Sequence, residues 1–210
     1  MSVGATCGRL YFRYGEKELA HLRHADKCLA AAIDKIGIIR RRVNPDPFAA
    51  LIENIIAQQI STKAASTVTG RLNALCGMDI VLLHALTIEQ IQACGMSMRK
   101  AGYIKGIAQA AIDGTVNFAQ LAQMPDDEVI KTLTALPGIG TWTAEMLLIF
   151  SLCRPNVVSY GDLAIRRGMI RLYGLQDLPR ERFDCYTKQY APYGSVASLY
   201  LWEIYAMEDR

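Results

Sequence analysis

A glycine turn that precedes a helix could bind an anion. The segment LPGIGTWTA at residues 136–144 places Gly138 and Gly140 between a proline and a predicted helix start at Thr141. Glycine permits backbone conformations and close approaches that a Cβ would block, so this turn can present bare N–H groups at the start of the helix. On a mildly basic protein, the simplest anion for such a turn is a nucleic-acid phosphate, which fixes position without reading base sequence.

An isolated carboxylate, Asp162, follows one predicted helix further along the chain. It directly precedes the apolar-periodic segment that starts at Leu163. An aspartate in this place is a natural N-cap, whose carboxylate accepts backbone N–H bonds at the start of the helix. The same carboxylate is also the candidate for the chemistry, and the two roles are compatible.

The elements that must position these residues are almost all helical. From Glu16 onward, nearly every segment has the 3.6-residue period of an amphipathic helix, and few stretches alternate as strands do. We therefore predict an all-α fold of two helical lobes with a cleft between them. The predicted helices are 16–36, 47–60, 62–75, 79–85, 88–94, 98–113, 117–122, 126–135, 141–153, 163–172, 180–190 and 194–207, and residues 9–14 are predicted to form a short extended arm.

Length and composition limit the domain organisation. The chain has 210 residues, of which 51% are apolar, so it can bury one core of ordinary size or two lobes that share a chain crossover. We therefore expect a single catalytic domain over residues 1–210, with the two helices and their turn at about 126–153. The net charge of +3 is small for a protein that binds nucleic acid and decides nothing by itself.

The sequence also predicts the cellular location and the state of the cysteines. No apolar run is long enough to span a membrane, and no secretory signal is recognisable, so we expect a cytoplasmic protein with no membrane partner. Six cysteines are scattered without a C-x-x-C pair, which is poor spacing for a metal or a cluster. They are predicted to be reduced thiols.

The glycine turn resembles the helix-hairpin-helix motif. Together with Asp162, it is similar to the signature of the helix-hairpin-helix superfamily of base-excision DNA glycosylases, and the resemblance covers residues from about 46 to 174. It implies that Asp162 is the catalytic carboxylate, because an anion stabilises the oxocarbenium-like transition state of the sugar. Glycosidases usually employ a second carboxylate to protonate the leaving group, but an alkylated purine is already cationic and leaves without that help.

Trp142 indicates which branch of the superfamily the chain resembles. In endonuclease III and the 8-oxoguanine glycosylases, a lysine at this place attacks C1′ and allows strand cleavage. Tryptophan cannot form that Schiff base, but it can stack on a flipped, positively charged base. Trp142 and its spacing from Asp162 resemble the 3-methyladenine DNA glycosylase II (AlkA) type, in a compact form without the extra N-terminal domain. Met146 occupies a base-pocket position where an aromatic residue is common.

Further contacts to DNA are implied by the same resemblance. The segment at residues 48–65 is similar to one that fills the hole left by the extruded nucleotide, here with Gln58 or Gln59, and the loop at 95–100 matches a second intercalating loop only loosely. Lys63, Arg99 or Lys100 are expected near phosphates. The residues expected to bind DNA are Gln58, Gln59, Ser61, Lys63, Ser97, Gly138, Gly140 and Thr143.

The resemblance also implies what the site contains besides protein. Some hairpins of this kind hold Na⁺ or K⁺ through backbone carbonyls, here those of Thr134, Leu136 and Ile139. No other metal or cofactor is expected. No iron–sulfur cluster is expected, because only Cys185 lies in the C-terminal region where the endonuclease III type often has four cysteines.

These features together predict a monofunctional DNA glycosylase of base-excision repair. It would act as a DNA-associated monomer that removes alkylated purines such as 3-methyladenine and 7-methylguanine from double-stranded DNA and leaves an abasic site. One alternative is a bifunctional, endonuclease III-like glycosylase and lyase for oxidised bases, which Trp142 disfavours. The other is a non-catalytic helix-hairpin-helix DNA-binding protein, which Asp162 disfavours.

Overall fold

The computed structural model describes residues 11–207. Over this range the regular structure consists of α-helices, one short 3-10 turn and one isolated β-bridge. The predicted all-α class is confirmed. The twelve described helices are α1 (Glu16–Ala25), α2 (Lys27–Ile36), α3 (Pro47–Ala57), α4 (Thr62–Cys76), α5 (Ile80–Ala85), α6 (Ile88–Gln92), α7 (Met98–Ile112), α8 (Asp126–Thr134), α9 (Thr141–Phe150), α10 (Leu163–Tyr173), α11 (Arg180–Tyr190) and α12 (Gly194–Ala206).

The chain divides into two compact units. Unit 2 is one continuous stretch, Asn44–Leu147, and unit 1 combines the chain up to Val43 with the chain from Leu148 onward. Unit 2 therefore contains α3 to α8 and most of α9, while unit 1 contains α1, α2 and α10 to α12. In the described part of the chain, every helix falls short of the length and apolar character that a membrane crossing requires.

The predicted helix at 16–36 is wrong, because it consists of two helices that meet at Asp26. This residue has an extended backbone with φ of −147°, and its Oδ1 accepts a hydrogen bond of 2.8 Å from the Leu29 N–H at the start of α2. Its Oδ2 accepts a bond of 2.5 Å from the Tyr173 hydroxyl, which also pairs with the hydroxyl of Tyr190. Asp26 is buried, so these bonds replace the water that the carboxylate gives up on folding.

Three other predicted helices differ from the structure by three residues or more. The segment predicted at 117–122 forms only a 3-10 turn at Leu121–Gln123, since the Asn117 side chain accepts the Ala119 N–H in a local bond that competes with a helix. Helix α3 ends before Gln59, and α9 ends before Cys153. Both residues have positive φ, which an α-helix cannot contain.

The predicted N-terminal arm is confirmed where the structure describes it. Tyr11 forms an antiparallel bridge with Arg42, and the Phe12 N–H donates to the Arg41 carbonyl at 2.8 Å. Arg9 and Leu10, the first residues of that arm, lie outside the described residues. The arm thus pairs with the segment that leads out of unit 1.

Close packing of α10 against α12 fixes the helix that starts at Asp162. Gly168 lies on α10, where an added Cβ would be 2.1 Å from the Leu201 carbonyl oxygen of α12. Nine of the thirteen residues of α12 are buried, and the Tyr200 hydroxyl donates to the Gly37 carbonyl at 2.8 Å. The start of α10 is therefore set by backbone contact with the core of unit 1.

Candidate nucleic-acid interface and catalytic carboxylate

The predicted hairpin is formed by α8, a tight turn and α9. The turn is closed by a bond of 3.3 Å from the Ile139 N–H to the Leu136 carbonyl, and Gly138 has a φ of +83°. The Gly140 carbonyl accepts the Ala144 N–H at 3.1 Å, so Gly140 stands immediately before α9 as its N-cap. The first N–H groups of a helix lack acceptors within it, and they carry the positive end of the helix dipole.

The two glycines of the turn serve different purposes. A Cβ on Gly138 would lie 2.3 Å from Cδ2 of the Tyr103 ring, so this position needs glycine for packing as well as for its backbone conformation. A Cβ on Gly140 would meet nothing within 4 Å. A change at Gly140 can therefore test anion binding, whereas a change at Gly138 disturbs the fold.

The two glutamines after α3 have different surroundings. Gln58 is half-buried, and its Nε2 donates to the Gly138 carbonyl at 3.3 Å. Gln59 is exposed and has a φ of +58°. The structure thus brings Gln58 to the hairpin and leaves Gln59 at the surface.

The structure gives the Lys100 ammonium two partners in the protein backbone. Its Nζ donates to the carbonyl oxygens of Ile56 at 2.8 Å and Gln58 at 2.5 Å, at the C-terminal end of α3. Burial lowers the pKa of the Lys100 ammonium below its usual value. Two of the three donors of this ammonium are therefore used by the protein backbone. Lys63 and Arg99, in contrast, are exposed as a phosphate contact requires, and their contacts to DNA stay predictions.

The two predicted serines are helix caps. Ser61 Oγ accepts the Ala64 N–H at the start of α4, and Ser97 Oγ accepts the Lys100 N–H at the start of α7, each at 3.3 Å. Both residues are exposed. Their contacts to DNA stay predictions, and each cap supplies an independent structural reason for the serine.

Helix α9 presents one of its three predicted site residues at the surface. Trp142 is 40% exposed, whereas Thr143 and Met146 are only 3% and 4% exposed. The Thr143 side chain therefore offers little surface to DNA, although its N–H belongs to the first turn of α9. Met146 belongs to the core of unit 2.

Asp162 lies in unit 1 and caps α10, as its sequence context predicts. Its side chain is buried with the residue only 7% exposed, and Oδ1 accepts the Ile165 N–H at 2.9 Å. Nearby, the guanidinium groups of Arg166 and Arg180 lie 5.2 and 5.0 Å from the centroid of the Tyr160 ring. A carboxylate held in this way has a fixed direction and a low-dielectric surrounding, in which it acts strongly on a developing positive charge.

The monovalent cation expected at the hairpin stays a prediction. Of the three carbonyls proposed for it, that of Leu136 accepts the Ile139 N–H, and a carbonyl oxygen has a second lone pair. Among residues 11–207, no three His, Cys, Asp or Glu side chains are grouped so that they could hold a metal ion. The five described cysteines are free thiols, and burial raises the pKa of Cys76 and Cys94.

Sequence reasoning missed Tyr103, whose ring fills the space that a side chain at residue 138 would occupy. It also missed the role of Tyr160, on which two arginines stack beside Asp162. Neither residue has a local sequence signal, since each acts through contacts to residues in other elements. Only the spacing of Lys100 and Tyr103, one helical turn apart on α7, could have suggested that they act on the same surface.

Known proteins are similar to this chain in both sequence and architecture. Solved structures include the DNA-3-methyladenine glycosidase of Bacillus halodurans, which is 35% identical with a TM-score of 0.83, over 95% of this chain and 94% of that one. The 3-methyladenine DNA glycosylase Mag1 of Schizosaccharomyces pombe, in complex with abasic DNA, is 31% identical with a TM-score of 0.78, over 89% of this chain and 95% of that one.

Sequence comparison agrees with the structural likeness. DNA-3-methyladenine glycosylase 1 of Schizosaccharomyces pombe is 34% identical over 170 residues, which cover 78% of this chain and 75% of that protein. Residues 52–184, which include the hairpin and Asp162, match the model of the HhH-GPD superfamily. This match spans more than half of the chain, and the protein therefore belongs to the HhH-GPD superfamily of base excision DNA repair proteins.

Proposed function

We propose that the protein is a monofunctional DNA glycosylase that removes alkylated purines such as 3-methyladenine and 7-methylguanine from double-stranded DNA. The observation that carries this proposal is Asp162, a buried carboxylate at the N-cap of α10 in a chain that belongs to a base-excision repair superfamily. The relatives named 3-methyladenine glycosylases support the substrate class.

In the proposed reaction, Asp162 stabilises positive charge on the sugar. As the C1′–N bond breaks, both bonding electrons leave with the cationic base, which departs neutral, and the sugar becomes oxocarbenium-like. The carboxylate is already oriented by its bond to the Ile165 N–H, so little reorganisation is needed when that charge develops. Water then adds to C1′ and releases a proton, which completes the hydrolysis without a metal or an organic cofactor.

The hairpin would bind the DNA backbone, and the segment after α3 would fill the space that the flipped nucleotide leaves in the base stack. The exposed Gly140 and the first turn of α9 suit a phosphate, because a helix N-terminus favours an anion. Gln59 is the better candidate for filling the vacated stack, since it is exposed while the side chain of Gln58 is bonded to Gly138. Trp142 is 40% exposed, which supports a role in stacking on an extruded base.

The monofunctional assignment depends on the absence of a suitable amine in α9. The sequence of this helix, TWTAEMLLIF, contains no lysine, and a Schiff base at C1′ requires an amine. We propose that the product is therefore an intact strand with an abasic site. We also propose that the enzyme acts as a monomer.

The test is single-turnover excision with the wild-type protein on a methylated duplex. Release of free 3-methyladenine, with strand breakage only after added alkali, is the expected result. Addition of borohydride to the protein on an oxidised-base duplex should trap no covalent complex. A robust trapped complex would replace the proposal with the glycosylase and lyase alternative, and binding without release of any base would favour the non-catalytic one.

A further inference from the structure

We propose that Lys100 is a positioning residue that controls how Gln59 enters the DNA stack without touching DNA itself. This inference rests on the proposed function, because it concerns the segment that would replace the flipped nucleotide. It assigns to Lys100 a role that is distinct from the phosphate contact expected from its charge.

The first observation is where the Lys100 ammonium binds. It donates to two carbonyls that flank the end of α3, those of Ile56 and Gln58, at 2.8 and 2.5 Å. The last carbonyls of a helix carry partial negative charge and lack partners within the helix, so a cation stabilises them. The second of these carbonyls belongs to the residue immediately before Gln59.

The second observation is the backbone of Gln59, which has a φ of +58°. For a residue with a Cβ, this left-handed conformation is unfavourable by about 1 kcal/mol and persists only where neighbouring contacts impose it. The bond from Lys100 to the Gln58 carbonyl is such a contact, because it fixes the peptide that leads into Gln59. Without it, the segment at residues 58–60 would relax toward ordinary φ values and turn the Gln59 side chain elsewhere.

The third observation is that the same face of α7 also supports the hairpin. Tyr103, one turn after Lys100, packs its ring against Gly138, and the Gly138 carbonyl accepts the Gln58 side chain at 3.3 Å. Helix α7 therefore sets the position of the segment after α3 relative to the hairpin. Lys100 acts on the segment after α3, and Tyr103 acts on the hairpin.

Lys105 provides a matched control on the same helix. Its ammonium also donates to two carbonyls near the end of a helix, those of His84 and Leu86 beside α5. Lys100 and Lys105 are both half-buried. Replacement of either lysine by methionine thus removes the same kind of bond, but only Lys100 acts on the segment that carries Gln59.

The experiment compares affinity for a duplex that contains a tetrahydrofuran abasic-site analogue with affinity for the undamaged duplex. We expect K100M to bind the abasic duplex about tenfold more weakly and the undamaged duplex within about twofold of wild type, because only the first requires an ordered Gln59. K105M should leave both affinities within about twofold of wild type. K100R, which restores the hydrogen-bond donors, should recover most of the lost affinity for the abasic duplex. Thermal unfolding of each variant confirms that the comparison is made on folded protein, and Lys100→Gln takes the place of K100M if that variant does not fold.

A double-mutant cycle with Gln59→Ala separates positioning from general stability. If Lys100 acts through Gln59, K100M has little further effect on abasic-duplex affinity in the Q59A background. Independent, additive losses of abasic-duplex affinity from K100M and Q59A would overturn the inference. Equal losses of affinity in K100M and K105M, or equal losses in K100M on the abasic and the undamaged duplex, would also overturn it. Because the readout is binding, absence of base excision by the wild type would overturn the proposed function and leave this result interpretable.

Discussion

The two units differ in the exposure of their candidate functional residues. In unit 1, Asp162 is buried and hydrogen-bonded at the N-cap of α10, which packs against α12 at Gly168. In unit 2, Gly140, Gln59 and Lys63 are exposed at turns and helix ends. The candidate catalytic carboxylate of unit 1 is therefore buried, whereas these three candidate DNA contacts of unit 2 are exposed.

The difference follows from what each task requires. A charge that stabilises a transition state acts most strongly where water is excluded and its direction is fixed. Groups that bind a phosphate backbone must instead be reachable, and their binding is dominated by counterion release in water. Substitutions in unit 1 should therefore change the rate of chemistry, and substitutions in unit 2 should change binding.

The largest expected effect is that of Asp162→Asn on chemistry. Single-turnover release of 3-methyladenine should slow by about two to four decades, as expected for the loss of one preorganised charged group. Asparagine is also a good N-cap, so stability and affinity for an abasic duplex should stay near those of wild type. A variant that keeps more than about half the wild-type rate would remove Asp162 from the mechanism.

An intermediate effect is expected for Trp142→Ala. Removal of an aromatic ring that stacks on a base should weaken lesion binding by about 1–3 kcal/mol. The measurement is the affinity of the catalytically slow D162N protein for a duplex containing 3-methyladenine, with Trp142→Phe as the matched control. If the proteins with alanine and with tryptophan at residue 142 bind this duplex equally well, the exposed Trp142 side chain does not face the base.

The smallest effect is expected for Gly140→Asp, which places a negative charge where the phosphate would bind. Affinity for an abasic duplex should fall about tenfold. The slope of log affinity against log salt concentration should become shallower by an amount that corresponds to about one phosphate contact. Aspartate is a favourable N-cap and Gly140 has open space around it, so α9 should stay folded. Gly140→Asn is the neutral control, and an aspartate variant that binds as tightly as wild type across a salt titration would exclude the phosphate site.

Most of the fold could be predicted from the sequence because its helices are amphipathic and their caps are local. Asp46 before Pro47 and Asp162 before Leu163 are examples in which one side chain and its nearest neighbours decide where a helix begins. The break at Asp26 could not be found in this way, since its carboxylate is bonded to Tyr173, 147 residues away.

The candidate site shows the same limit. The hairpin and Asp162 are recognisable because turn chemistry and capping depend on adjacent residues. The bonds of Lys100 to carbonyls 42 and 44 residues earlier depend on tertiary structure, so the residues next to this half-buried lysine do not predict them. Charge in a sequence indicates that a cation is present, while its partner is set by packing.

The arrangement of the units along the chain has a consequence for biosynthesis. Unit 2 is continuous and its last residue is Leu147, whereas unit 1 needs the segment from Leu148 onward to meet the segment before Val43. Since domains generally fold as units during synthesis, the nascent chain completes unit 2 first. Asp162 emerges from the ribosome only afterwards. A translation product that is interrupted before Asp162 therefore lacks the carboxylate and, by the proposed chemistry, cannot create abasic sites in the genome.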